Sequence, residues 1–218
     1  GSEMCIRDRG DVMDMWDSIL ENGYDEVVYI PMSSGLSASC HAAIQLSEEY
    51  DGKVQVVDNH RISVTMREAV KDAKWMADNG VSAKEIKDAL EKNAYDSVIF
   101  LTVDDLKYLK KGGRITPAAA ALGTMLRLKP VLQIHGEKLD AFSKVRTMSA
   151  AKKTMIDAIR NDLENRFAGS SMKLAIAHTN NEAMALEFKA ELEKEFPGYP
   201  EIIVNELSLS VACHIGDG

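Results

Sequence analysis

Four hydroxyls crowd one turn of this chain. Residues 27–46 read VVYIPMSSGLSASCHAAIQL, an apolar run that passes into a helical pattern through Ser33, Ser34, Ser37 and Ser39 around Gly35. A helix that starts at the carboxyl end of a parallel strand presents unpaired N–H groups and the positive end of its dipole, which suits a phosphate or a carboxylate. Serine hydroxyls add donors there without adding charge. Capping and turn formation also call for serine and glycine at such a place, and local spacing leaves both readings open. The stretch contains neither GxxxxGK[ST] nor GxSxG, so it is neither a nucleotide P-loop nor a hydrolase elbow.

Three other places could carry chemistry. In LKYLKKGGRI, residues 106–115, two glycines precede Arg114 and put a cation on backbone that can approach a ligand closely. A glycine helix cap among surface lysines accounts for the same letters. The five histidines, His41, His60, His135, His178 and His214, show no HxH or HExxH spacing, so no metal site is expected. His214, in VACHIGDG, reads as lying between an apolar strand and a glycine turn, where an imidazole can hydrogen-bond a carboxylate or be satisfied structurally. The small residues of AAAALGTMLRL permit either a cavity or close helix packing.

The elements that must position these residues alternate along the chain. Residues 11–22 have helical spacing, and 27–32 read as a strand buried on both faces. A helix is expected over 37–50, a strand over 53–59, and helices over 62–79 and 82–94, the last opened by Ser82 and Glu85 in capping-box register. This half implies a parallel sheet with crossover helices. The second half reads as a strand (97–103), a short helix closed by glycine, a helix with proline in its first turn (from Thr116), and a hairpin over KPVLQIHGEKLDAFSKVRT with HGEK at its turn. A helix (148–166), a strand (173–179), a helix (182–196) and a strand (201–208) follow, with VACHIG as a further strand. The expectation is an α/β chain with a leader of unrelated character over 1–10, an incomplete parallel α/β/α domain over 11–93 and an α/β domain with a mixed sheet over 94–218.

The 218 residues suffice for a real core, and a net charge of −8 disfavours a nucleic-acid or anionic-membrane partner, so any anion site must be local. Three cysteines without CxxC spacing argue against a disulfide framework and fit a reducing, cytoplasmic setting.

Several of these pieces, in order, resemble one family. IPMSSGLSAS resembles the hydroxyl-rich turn of DegV proteins, and VQVVDN their following strand, which normally ends in Asp-Ser. LKYLKKGGRI is similar to their most recognisable signature. LKPVLQIHGEKLDAFSKVRT resembles their Lys-Pro hairpin with its Arg-Thr end, and CHIGDG their closing His-x-Gly-Pro-Gly. The resemblance runs over residues 11–218.

It implies a two-domain α/β protein that is not itself an enzyme and needs no cofactor. It would bind a long-chain fatty acid, such as palmitate, stearate or oleate, between its domains and present the carboxylate to a separate fatty acid kinase subunit. By position, Ser33, Ser34, Arg114 and His214 would hold the carboxylate, and Arg146 would contact the kinase, while Ser37 and Ser39 need only cap the helix. Hydroxyls, helix N–H groups and an arginine can satisfy a carboxylate that would be very costly to bury unpaired. Burial of about 0.8 kcal/mol per CH₂ gives a chain of roughly 16 carbons on the order of 10 kcal/mol before ordering costs, so the tail would dominate affinity. The chain departs from the family pattern in lacking an earlier strand–helix–strand unit with its Thr/Ser-Ser-Gln-Pro-Ser loop, and in Ala38, Asn59 and Asp217. A different reading of the same residues is a serine hydrolase or phosphotransferase with Ser34 as nucleophile and His214 as base.

Overall fold

The computed structural model describes residues 9–122 and 128–216, which divide into two compact units. The first runs to Val98 and includes His135–Glu137; the second comprises Ile99–Ile134 and the chain from Lys138 onward. The leader reading over 1–10 falls almost wholly outside the described residues, as do Cys5 and Asp217.

In the first unit, α1 (Arg9–Glu21) leads to β1 (Val27–Tyr29), α2 (Ser39–Ser47) and β2 (Val54–Val56), followed by α3 (Ser63–Asp78) and α4 (Ala83–Lys92). β1 and β2 pair in parallel, with Val27 opposite Val54 and Tyr29 opposite Val56. The valine-rich strands are buried on both faces because helices cover both. Val27, Val54 and Val56 pack with Val12, Trp16 and Ala43 of α1 and α2. Val28, Ile30 and Val57 pack with Ala69, Ala73, Ile86 and Leu90 of α3 and α4. Trp16 is fully buried, edge-on to Tyr29 and Tyr50 with ring centroids 5.4 Å away in each case. The expected capping box opens α4: the Ser82 hydroxyl accepts from the Glu85 N–H while the Glu85 carboxylate accepts from Ser82.

The second unit contains β3 (Ile99–Thr102), α5 (Lys107–Gly112), α6 (Pro117–Leu122), β4 (Lys129–Ile134), β5 (Asp140–Val145), α7 (Met148–Glu164), β6 (Ala175–His178), α8 (Glu182–Glu195), β7 (Ile203–Glu206) and α9 (Leu209–Ile215). Both strand orientations expected for this half are present, in separate ladders: β3, β4 and β5 are antiparallel, and β6 pairs with β7 in parallel. Helix α7 serves both, since Ala151 and Met155 pack on Val131 while Ile156 packs with Ile176, Leu192 and Ile202. The hairpin reading holds, with its turn at His135–Lys138. The helix read from Thr116 is described as far as Leu122; residues 123–127 lie outside the described residues.

One element is corrected. VACHIG is not a strand but part of α9, so His214 sits in the last turn of a helix. The Val211 and Ala212 N–H groups donate back to the Ser208 carbonyl, and Gly216, at φ +79°, ends the helix by donating to the Ala212 carbonyl. Over so short an apolar run, hydrophobicity does not discriminate between the two periods.

Candidate functional site

The serine turn is closed by its own acceptors. Ser33 is buried; its hydroxyl donates to the Gly136 carbonyl at 2.5 Å and accepts from the Gly35 N–H at 3.2 Å. The Ser33 N–H donates to the Arg61 carbonyl, and the Ser33 carbonyl accepts from the Leu36 and Ser37 N–H groups. The Ser37 hydroxyl accepts from the Ser39 N–H at 3.2 Å and shares a hydrogen bond with the Ser39 hydroxyl. Ser37 and Ser39 thus serve the helix start, although the residue at the N-cap position itself is Ala38. Gly35 is required by proximity: a Cβ there would lie 3.0 Å from Cα of Glu137.

Ser34, half-buried, has a different partner. Its N–H donates to Oδ1 of Asp58 at 3.2 Å, and its hydroxyl also hydrogen-bonds that carboxylate. Asp58 stands at the carboxyl end of β2, where ligands of parallel sheets bind. Burial alone would raise its pKa. The Ser34 hydroxyl and N–H, the charge of His60 and the His60 N–H outweigh that and hold Asp58 below the usual carboxylate range. The thiol of buried Cys40 points the same way: burial first, then the charge of Asp58 and a hydrogen bond to it, push Cys40 up to about 12.

Around this carboxylate the hairpin turn is locked by rings. His60 Nδ1 lies 3.8 Å from Asp58 and 3.7 Å from Glu137. The His60 ring stacks on Tyr95 at 5.2 Å, and His135 meets Tyr95 edge-on while its Nε2 hydrogen-bonds the Tyr95 carbonyl at 3.1 Å. Asn59 is fully buried; its Oδ1 accepts from the Arg61 N–H at 3.3 Å, and its Nδ2 has no hydrogen-bond partner among the described residues. Neither Asp58 nor Asn59 was singled out as a site residue from the sequence. The signal was the polar pair that ends the strand VQVV.

In the second unit, Arg114 and His214 flank Gly112. A Cβ at position 112 would have His214 Nδ1 at 3.4 Å and Arg114 Cδ at 3.9 Å. The arrangement follows from local structure. Gly113, at φ +66°, ends α5 as a left-handed cap, and the Arg114 guanidinium donates back to the Gly112 carbonyl. The Arg114 carbonyl accepts from the Leu139 N–H at 3.0 Å, pinning this segment beside the hairpin. Helix α9 packs on α5, with Gly216 against the Tyr108 ring. Two motifs about a hundred positions apart therefore present a cation and an imidazole side by side. Arg146 is exposed, immediately after β5 and before Thr147, whose hydroxyl caps α7 by accepting from the Ala150 N–H.

No group of three His, Cys, Asp or Glu side chains among the described residues is placed to hold a metal, and no described helix is long and apolar enough to cross a membrane. A groove of about 460 Å³ opens on the first unit beside Val28, Ile30, Val70, Ala73 and Ala77; none of the sequence-derived site residues lines it.

The chain has recognisable relatives. A DegV domain-containing protein of Streptomyces coelicolor is 31% identical over 200 residues, covering 92% of this chain and 70% of that protein. A fatty acid-binding protein of Thermotoga maritima is 30% identical over 201 residues, covering 91% and 68%. The crystal structure of DegV from Bacillus subtilis, described as a fatty acid binding protein, matches with a TM-score of 0.80 at 26% identity, over 97% of this chain and 74% of that one. The family profile described as "Uncharacterised protein, DegV family" matches residues 7–218, and the chain belongs to that family.

Proposed function

We propose that this protein binds a long-chain fatty acid such as palmitate, stearate or oleate, and presents its carboxyl group to a separate kinase subunit for acyl-phosphate formation. The observation that carries the reading is the convergence of Arg114 and His214 at Gly112, in a family with members that bind fatty acids. In this reading Ser33, Ser34, Arg114 and His214 hold the carboxyl group. Ser34 supplies the hydroxyl, while Ser33 acts mainly by fixing the turn to Gly136. Arg146, exposed at the hairpin end, contacts the kinase. The acyl chain supplies most of the affinity through apolar burial, and the polar groups set orientation.

The alternative of Ser34 as a nucleophile draws less support. Its hydroxyl hydrogen-bonds a carboxylate, whereas activation of a serine calls for an imidazole at that place.

Native mass spectrometry of the purified protein, followed by solvent extraction, tests the proposal. Co-purifying long-chain fatty acids are expected, with thermal stabilisation by added oleate that is lost in a Ser34→Ala/Arg114→Ala double variant. A folded protein that neither carries nor is stabilised by any fatty acid would overturn it. Covalent labelling of Ser34 by a fluorophosphonate would favour the enzyme instead.

A further inference from the structure

Resting on that reading, we propose that Asp58 is itself a head-group residue: it occupies the Ser34 donors in the free protein and shares a single proton with the ligand's carboxyl group in the complex, so that binding draws a proton from solution.

The serine turn has few donors to spare. The N–H groups of Ser33, Gly35, Leu36, Ser37 and Ser39 go to acceptors within the unit, and both the N–H and the hydroxyl of Ser34 go to Asp58. A ligand carboxylate that reaches Ser34 therefore meets another carboxylate already there. Two carboxylates at hydrogen-bond distance cannot both stay ionised, and the usual outcome is one shared proton.

Asp58 is poorly placed to withdraw. The Cys40 thiol and the His60 N–H also hold its carboxylate, and its own backbone N–H donates to Glu91 Oε1 at 3.1 Å. The charged surroundings do not substitute for a proton. From the strand end, His60 approaches at 3.8 Å; from α4 comes Glu91, paired with Lys87 at 3.8 Å; from the hairpin turn comes Glu137, which faces His60; and α2 contributes only the neutral Cys40 thiol. The Arg61 guanidinium is directed to the Asn93 carbonyl at 2.6 Å. Lys87 thus faces Glu91, Arg61 faces a backbone carbonyl, and His60 is shared between Asp58 and Glu137. A free fatty acid has an ionised head group at neutral pH, since an ordinary side-chain carboxyl titrates at about 4. The shared proton therefore comes from the buffer, and it sits between ligand oxygen and Asp58 oxygen. The site then selects an acid over its methyl ester, which lacks the proton to share.

Titration calorimetry with oleate at pH 7.5, in phosphate and in Tris, reads the proton count from the difference in heats. The expected uptake is close to one proton per oleate for the native chain and for His60→Asn. In Asp58→Asn it is expected to vanish, with oleate bound about tenfold or more tighter because an amide donor replaces a competing anion. Oleate binding without proton uptake by the native chain overturns the inference and leaves the fatty-acid reading standing. Uptake that survives in Asp58→Asn also overturns it, by placing the proton on another group such as the imidazole of His60 or of His214. Absence of any oleate binding by the native chain overturns the fatty-acid reading, and this inference with it. Should Asp58→Asn not fold, the native chain's uptake and its failure to bind methyl oleate decide the question.

Discussion

The Ser33 hydroxyl donates to the Gly136 carbonyl at 2.5 Å, a bond that joins residues 103 positions apart. It ties the loop after β1 to the hairpin turn, within the first unit. Both groups are buried, so removing the donor leaves a carbonyl without a partner and frees the Gly35 N–H that the same hydroxyl accepts. Ser33→Ala should lower unfolding stability by about 1–3 kcal/mol. The midpoint and slope of urea unfolding, followed by tryptophan fluorescence, check this, and an unchanged midpoint would refute it.

Gly35 tests the same junction sterically. Its φ is not in the left-handed region, so the conflict in Gly35→Ala is spatial: the new Cβ would lie 3.0 Å from the Glu137 Cα and 3.1 Å from its Cδ. A loss of about 1–3 kcal/mol is expected. Because Ser33 and Gly35 hold one turn to one partner, the Ser33→Ala/Gly35→Ala double variant should lose less than the sum of the singles. Strict additivity in the double-mutant cycle would show that the two act at separate places.

Asp58 makes stability depend on acid pH. Its pKa is lowered in the folded protein from 3.8. A depressed carboxyl contributes stability that is fully present above the unfolded value and is lost as the pH falls through about 3.8 toward the folded one. The native chain should therefore be more stable than Asp58→Asn at pH 7, and the gap should narrow by pH 3. Urea midpoints at the two pH values measure it; a gap of equal size at both would show that the charge on Asp58 plays no part.

What the sequence disclosed follows the range of the interactions. The alternation of helix and strand, the capping box at Ser82 and Glu85, the glycine end of α5 and the hairpin turn are set by residues within a few positions of one another, and all can be read in the letters. VACHIG reads as a strand because its five apolar and small residues fit both periods, and the deciding feature is the return of the Val211 and Ala212 N–H groups to Ser208. The division of labour between Ser33 and Ser34 was not legible, because the partners that separate them, Gly136 and Asp58, are 103 and 24 positions away. An acidic residue at a strand end also reads as ordinary turn chemistry. The pairing of His214 with the KKGG segment could be inferred only from family resemblance, since neither motif alone carries a signal of the other.

The two described cysteines should differ sharply in reactivity, chiefly because one is buried and the other exposed, with Asp58 adding to the effect. Cys213 is exposed on α9, whereas Cys40 is fully buried with its thiol held against the Asp58 carboxylate. A thiol reacts as its thiolate, and burial beside an anion pushes Cys40 up to about 12. At pH 8 iodoacetamide should modify Cys213 within minutes and leave Cys40 intact until urea unfolds the first unit, as peptide mapping by mass spectrometry would record. Asp58→Asn removes the neighbouring charge but not the burial, which is the larger cause, so Cys40 should stay protected in that variant provided it folds. Rapid labelling of Cys40 in the folded native chain would mean that the turn between Ser33 and α2 opens on the timescale of the reaction, and that the Ser34–Asp58 contact is far weaker than its geometry implies.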